Sequence, residues 1–211
     1  MNAQLRAFFL LLVVAAATLT TLAGCAAGHG YRLRAVPYPD YTIEDGTATI
    51  KTETFRISVV PLDELARAAF IKARAASGID PFQCESNGTP RYLTFKLTVQ
   101  NLTAKDTLTF QPQNILLASE NGDRIYPLDY PQAYTRLAGS VSSDPRLLED
   151  LSKYLFDIGV SVPPDGRTEG LLVYPAAKSG TTKLRLEVSF IQINGQSSST
   201  FDIIFLKEPA I

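Results

Sequence analysis

The sequence predicts a mainly β protein, an antiparallel β-sandwich of about seven strands with two helical insertions. Three observations lead there. Short runs in which apolar and polar residues alternate recur from residue 51 to the C-terminus. Proline, glycine and Asn-Gly turn signals separate those runs. Two stretches instead carry helical spacing with capping residues at their starts.

In chain order, the first element is an export signal, MNAQLRAFFLLLVVAAATLTTLAGC. Arg6 supplies the positive start, Ala7 to Leu22 run without a charge, and small residues follow. The apolar run is at the short limit for a spanning helix, and no cationic stop-transfer cluster follows it. Leu22-Ala23-Gly24-Cys25 resembles the lipobox of bacterial lipoproteins at all four positions. That resemblance implies cleavage between Gly24 and Cys25, a diacylglycerol on the Cys25 thiol and acylation of the new amine. Two or three acyl chains hold a protein stably to a bilayer without a transmembrane helix. Ala26 after the cysteine, where enteric lipoproteins retained at the inner membrane carry Asp, favours the periplasmic face of the outer membrane in a cell that has one.

Residues 25–50 read as the lipidated cysteine and a tether. Small residues come first, then Tyr31, Tyr38 and Tyr41 interleaved with Pro37 and Pro39, which favour extended chain. The domain is expected over 51–211. Its first strand, FRISVV, places Phe55, Ile57 and Val59 on one face, and RYLTFKLTVQN does the same for Leu93, Phe95, Leu97 and Val99. LTFQPQNILLAS is a strand pair or a bent strand interrupted at Pro112, and Asn121-Gly122 marks a hairpin. TEGLLVYP follows. KLRLEVSFIQI then turns at Asn194-Gly195 into STFDIIFLK, forming a terminal hairpin.

The first helix is expected in LDELARAAFIKARAASG, capped by Asp63, with Leu62, Leu65, Ala69 and Phe70 on one face and Gly78 as its stop. The second is expected in SDPRLLEDLSKYLFDIG, with Asp144 as N-cap and Pro145 in the first turn. Leu147, Leu148, Leu151, Leu155 and Ile158 would form its apolar stripe, ended by Gly159.

Val99, Asn101, Leu117, Gly122, Tyr126, Pro164, Gly166, Gly170, Leu172, Val173 and Tyr174 fall in an order similar to that of immunoglobulin-like domains of bacterial lipoproteins and secreted antigens. The likeness covers about residues 52–207. It rests on turn glycines and core apolar residues, so it implies a fold and no activity.

Composition limits the function. The leader holds one of the 20 Lys+Arg and none of the 21 Asp+Glu, so the mature chain of 187 residues has 19 cations against 21 acids. A nucleic-acid binder would show a basic excess. His29 is the only histidine and lies four residues from Cys25, too loosely held to serve a nucleophile in the domain. With Cys25 lipidated, Cys84 is left alone in a loop, so neither a disulfide nor a zinc set can form within the chain. Glu44-Asp45, Asp63-Glu64 and Glu149-Asp150 are adjacent acid pairs; neighbours on a helix do not face each other, so the last two read as solvated or capping charges, and Asn121-Gly122-Asp123 reads as turn chemistry. No catalytic residue, metal site or cofactor is expected.

Two surfaces suit a partner. One is the second helix with its lead-in, where Tyr130, Tyr134 and Tyr154 with Arg136 and Arg146 are amphipathic anchors of the kind enriched at interfaces. The other is an open sheet edge. The expected function is a non-enzymatic envelope lipoprotein that binds or scaffolds a protein partner. The alternatives are an envelope hydrolase that uses carboxylates on glycans, and a carrier of an apolar ligand between the sheets.

Overall fold

A computed structural model of the chain describes residues 31–85, 90–138, 145–156 and 159–209. Gly24, Cys25 and His29 lie outside the described residues, as do Asp144 and Ile158.

Fourteen strands are described, all joined by antiparallel ladders in three sheets. The first sheet has the order β1-β14-β11-β7-β8, built from Tyr31–Ala35, Phe201–Pro209, Lys183–Val188, Ile115–Ser119 and Arg124–Ile125. The second has the order β10-β5-β4-β3-β2, built from Arg167–Pro175, Tyr92–Asn101, Phe55–Leu62, Thr47–Lys51 and Thr42–Glu44. A smaller third sheet, β13-β12-β6-β9, joins Gln196–Ser197, Gln192–Ile193, Leu108–Phe110 and Val160–Val162. The mainly β, antiparallel sandwich matches the expected fold class. Its strand count is double the expected one because β1, β2 and β3 form ahead of residue 52 and because several runs break. Pro112 opens a 3₁₀ turn between β6 and β7, and Phe190, in the left-handed region at φ 56°, separates β11 from β12.

The expected alternation decides the core. Phe55, Ile57 and Val59 from β4 and Leu93, Phe95, Leu97 and Val99 from β5 are buried against Leu184, Leu186, Ile203 and Phe205 of the first sheet. The Phe95 ring centroid lies 5.1 Å from that of Phe205 and 5.8 Å from that of Tyr174, so aromatic side chains fill the space between the sheets here.

Three features correct the sequence reading. First, Tyr31–Lys51 is not tether. β1 pairs with β14, and β2 and β3 form a hairpin that extends the second sheet, with Ala48 and Ile50 buried in the core. The hairpin turns through Asp45-Gly46, both at positive φ, the geometry that Asp-Gly supplies. Second, three α-helices are described rather than two: α1 Glu64–Lys72, α2 Tyr130–Ala138 and α3 Pro145–Tyr154. The additional helix, α2, starts where Asp129 accepts the Gln132 N–H at 2.8 Å, with Pro131 in its first turn. Third, Asp63 caps α1 as expected, accepting the Ala66 N–H at 2.8 Å, but α1 buries Arg67 and Ile71, while Leu65 is 81% exposed. Gly78 does not end this helix; Ala73 does.

The helices cover the outer side of β10. Gly170 to Tyr174 are all buried: Leu172 and Tyr174 point into the sandwich, while Leu171 and Val173 join Ile71, Phe82, Leu128, Leu151 and Tyr154 in a second core. A run apolar on both faces is what a doubly covered strand requires. Burying Leu171 and Val173 contributes about 2 kcal/mol each. Gly170 permits the close packing, because a Cβ there would stand 3.1 Å from the Phe156 ring. The Leu128 and Phe156 N–H groups donate to the Val173 and Leu171 carbonyls, so the β10 edge is closed to an added strand.

Candidate functional site

Two of the residues expected to share the α2–α3 surface separate in burial. Tyr134 is exposed on α2 and its ring lies 6.4 Å from that of Tyr130, which packs partly into the second core. Arg136 and Arg146 are exposed. Tyr154 is not a surface residue. It is 1% exposed, its ring packs edge-on to Phe82, and its hydroxyl has no hydrogen-bond partner among the described residues. Burial raises the Tyr154 pKa well above its ordinary value, and the nearby Asp80 and Asp150 charges push it the same way. The helical repeat that carried Tyr154 into the expected surface turns it toward the sheet.

Charged groups inside the helical layer are already engaged. Arg67 and Asp80 form a buried pair at 2.8 Å, and Asp80 also accepts the Phe82 N–H at 2.9 Å. Asp150 is buried and accepts from Lys153 Nζ at 2.6 Å, Ser77 N–H at 2.7 Å and Ala76 N–H at 3.2 Å. Lys153 first, then the Ser77 N–H, hold its carboxyl far below the usual carboxylate range. Such a group is a structural anchor and a poor proton donor. Its neighbour Glu149 is exposed on α3, and Asp63-Glu64 sit at the α1 N-terminus. Among the described residues, no group of three or more His, Cys, Asp and Glu is placed to hold a metal.

Cys84 is half-buried and disulfide-bonded. The chain contains one other cysteine, Cys25. One sulfur cannot hold both a lipid thioether and a disulfide, so the state of Cys84 reports on that of Cys25.

Two grooves open on the outside of the sheets. One, of about 320 Å³, is lined by Thr109, Gln111, Asn114, Ser161, Gln192 and the ring of Phe190, which is 58% exposed. The other, of about 260 Å³, lies on the outer face of the second sheet. Its lining comes from four strands in register. Arg56, Gln100 and Arg167 form one cross-strand row, extended by Lys51. Thr49, Ser58, Thr98 and Glu169 form the next outward row, and Val60 stands opposite Lys96 in the third. Glu169 pairs with Arg74 and lies 3.7 Å from Arg167. No ion pair is found for Arg56 or Lys96 among the described residues. The sequence reading missed this groove, since its lining residues lie up to 120 positions apart, from Thr47 to Arg167.

The resemblance residues play structural parts. Asn101 is fully buried at the end of β5. Its Nδ2 faces the carbonyls of Asp106, Val162 and Pro163 at 2.7, 3.1 and 3.1 Å, and its Oδ1 accepts from Thr103 N–H and Oγ1. Tyr126, in contrast, is 56% exposed and belongs to no core.

No family model matches the chain, and no curated protein matches it in sequence. Among solved structures it is similar to the YjhA protein of Bacillus subtilis at 12% identity, over 65% of this chain and 76% of that one, with a TM-score of 0.36. It is also similar to MPT63, a secreted protein of Mycobacterium tuberculosis, at 10% identity, over 79% of this chain and 99% of that one, with a TM-score of 0.33. The fold class rests on the sheets themselves.

Proposed function

We propose that the chain is an exported lipoprotein, anchored by lipid on Cys25, whose sandwich binds a protein partner of the cell envelope without catalysing a reaction. The observation that carries this reading is Leu-Ala-Gly-Cys directly after an uncharged apolar run. The position of β1 sharpens it. Cys25 lies only six positions before Tyr31, the first residue of the first sheet. Fully extended, that span reaches about 20 Å, so the domain would stay close to the bilayer and meet partners near the membrane. Tyr134, with Arg136 and Arg146, is the contact surface favoured for that partner.

The test is mass spectrometry of the native N-terminal peptide together with alkylation of Cys84 without reductant. Acylated Cys25 is expected, and with it a Cys84 thiol that alkylates, because a lipid thioether on Cys25 would displace the disulfide that Cys84 makes in the unprocessed chain. A photo-crosslinker in place of Tyr134 should then capture one recurrent envelope protein, and repeated capture of none would remove the partner. The disulfide at Cys84 favours a second reading, an unlipidated secreted domain in which the signal is cut elsewhere. A Cys25–Cys84 crosslinked peptide from native material would establish it and end the lipoprotein reading.

A further inference from the structure

We infer that the outer face of the second sheet is a binding site for an anionic oligosaccharide. Four cations share this face: Lys51, Arg56, Lys96 and Arg167, against two acids, Glu169, which is shared between Arg74 and Arg167, and Glu44, which stands opposite Thr47 at the β2 edge. The mature chain as a whole has more acids than cations. The cationic excess is therefore a local product of strand register, and it marks an anion as the ligand.

The chemistry between the cations narrows the class. Ser58, Thr98, Gln100 and Thr47 line the groove and offer hydroxyl and amide groups that can donate and accept. Such groups suit a ligand rich in hydroxyls. Among the described residues, none of the exposed large apolar side chains belongs to β3, β4, β5 or β10. The face thus lacks the aromatic and apolar anchors that carry protein interfaces and those that insert an interfacial segment into a bilayer. It also lacks a ring on which a nucleobase would stack.

Length separates an oligomer from a lone ion. Lys96 and Gln100 are four residues apart on β5, about 13 Å along the strand, and Arg56 and Arg167 flank Gln100 on either side. Charges spread over that distance fit a saccharide with acidic groups on successive or alternate rings. Guanidinium forks at Arg56 and Arg167 would take carboxylate or phosphate bidentately, with Lys96 as a point charge at the far end.

The experiment is calorimetric titration of the full-length protein in a neutral detergent with oligogalacturonate and with a phosphorylated maltooligosaccharide of equal length. Saturable binding to at least one, weakened by salt, is expected, with none to neutral maltooligosaccharide. Arg56→Gln and Lys96→Gln should each weaken it about tenfold, Arg56→Lys should weaken it less, and Lys183→Gln on the first sheet should leave it unchanged. Thermal melts of each variant check folding. No binding to either probe overturns the inference, as does equal binding by both Gln variants. Binding to anionic phospholipid vesicles that exceeds oligosaccharide binding and is lost in the same variants also overturns it, in favour of a membrane surface.

Discussion

Replacing Asp150 tests how the helical layer is held together. Asp150 on α3 accepts two backbone N–H groups, from Ala76 and Ser77, across more than 70 positions of chain. Each such bond to a charged acceptor contributes about 1.5 kcal/mol at the low end of its range, the end that applies here because Ala76 is exposed and Ser77 half-exposed. Lys153 is 45% exposed on its side chain, and its pair with Asp150 adds at most about 0.5 kcal/mol. Asp150→Ala should therefore cost about 3 kcal/mol, and Asp150→Asn, which keeps one acceptor oxygen without the charge, about half of that. For a chain of this size the alanine variant should melt about 6–12 °C lower. The pH dependence has a definite sign. The folded pKa is depressed, so the unfolded chain takes up the proton first as pH falls. The stabilisation is complete above the ordinary carboxylate pKa of about 4 and is lost as pH falls below it. Urea titrations from pH 7 to pH 2.5 read both effects, and the wild type should lose more stability over the acid limb than Asp150→Asn does. An alanine variant within 0.5 kcal/mol of wild type, with an unchanged acid limb, would refute the assignment of Asp150 as the tie between α3 and the 73–82 segment.

Two more substitutions address the buried polar groups. Asn101→Ala should cost about 3 kcal/mol in urea unfolding, because it leaves three buried or half-buried carbonyls and the Thr103 hydroxyl without their shared partner; a loss under 1 kcal/mol would mean that water replaces the amide. Tyr154→Phe should be neutral or stabilising by about 1 kcal/mol, because it deletes a buried hydroxyl that makes no hydrogen bond among the described residues, and a clear destabilisation would show that this hydroxyl has a partner.

The strands legible in the sequence were those with one wet face. β4 and β5 alternate cleanly because only one side of each meets the sandwich core. β10 was legible as a strand from its uninterrupted Leu-Leu-Val-Tyr run, but the run does not say what lies on its second face. For α1, spacing allowed Leu65 and Ile71 equally, and the choice fell to Ile71 because that face meets Phe82 and Leu171. Tyr31–Lys51 was misread because Pro37 and Pro39 dominate its composition. The Asp45-Gly46 turn and the alternation of Ala48 and Ile50 were the local signals that marked the hairpin. The cationic groove left no such trace. Arg56, Lys96 and Arg167 each read as an ordinary solvated residue of a half-buried strand, and only the pairing of β4, β5 and β10 makes them neighbours.

The proposed anchor and the proposed saccharide site bear on one another through effective concentration. A free domain must pay the full cost of association for every ligand it captures. A domain leashed within about 20 Å of a bilayer meets envelope polymers at concentrations that short tethers raise to the millimolar range. A shallow, solvent-open groove with two cations lacking ion-pair partners among the described residues is suited to that regime. Its individual contacts are screened by salt and weak, and they become useful only where the ligand is always near. The same reasoning separates the two readings of Cys84. A secreted, disulfide-bonded domain would have to hold its ligand by intrinsic affinity alone, and the second sheet offers no deep apolar pocket in which to build it.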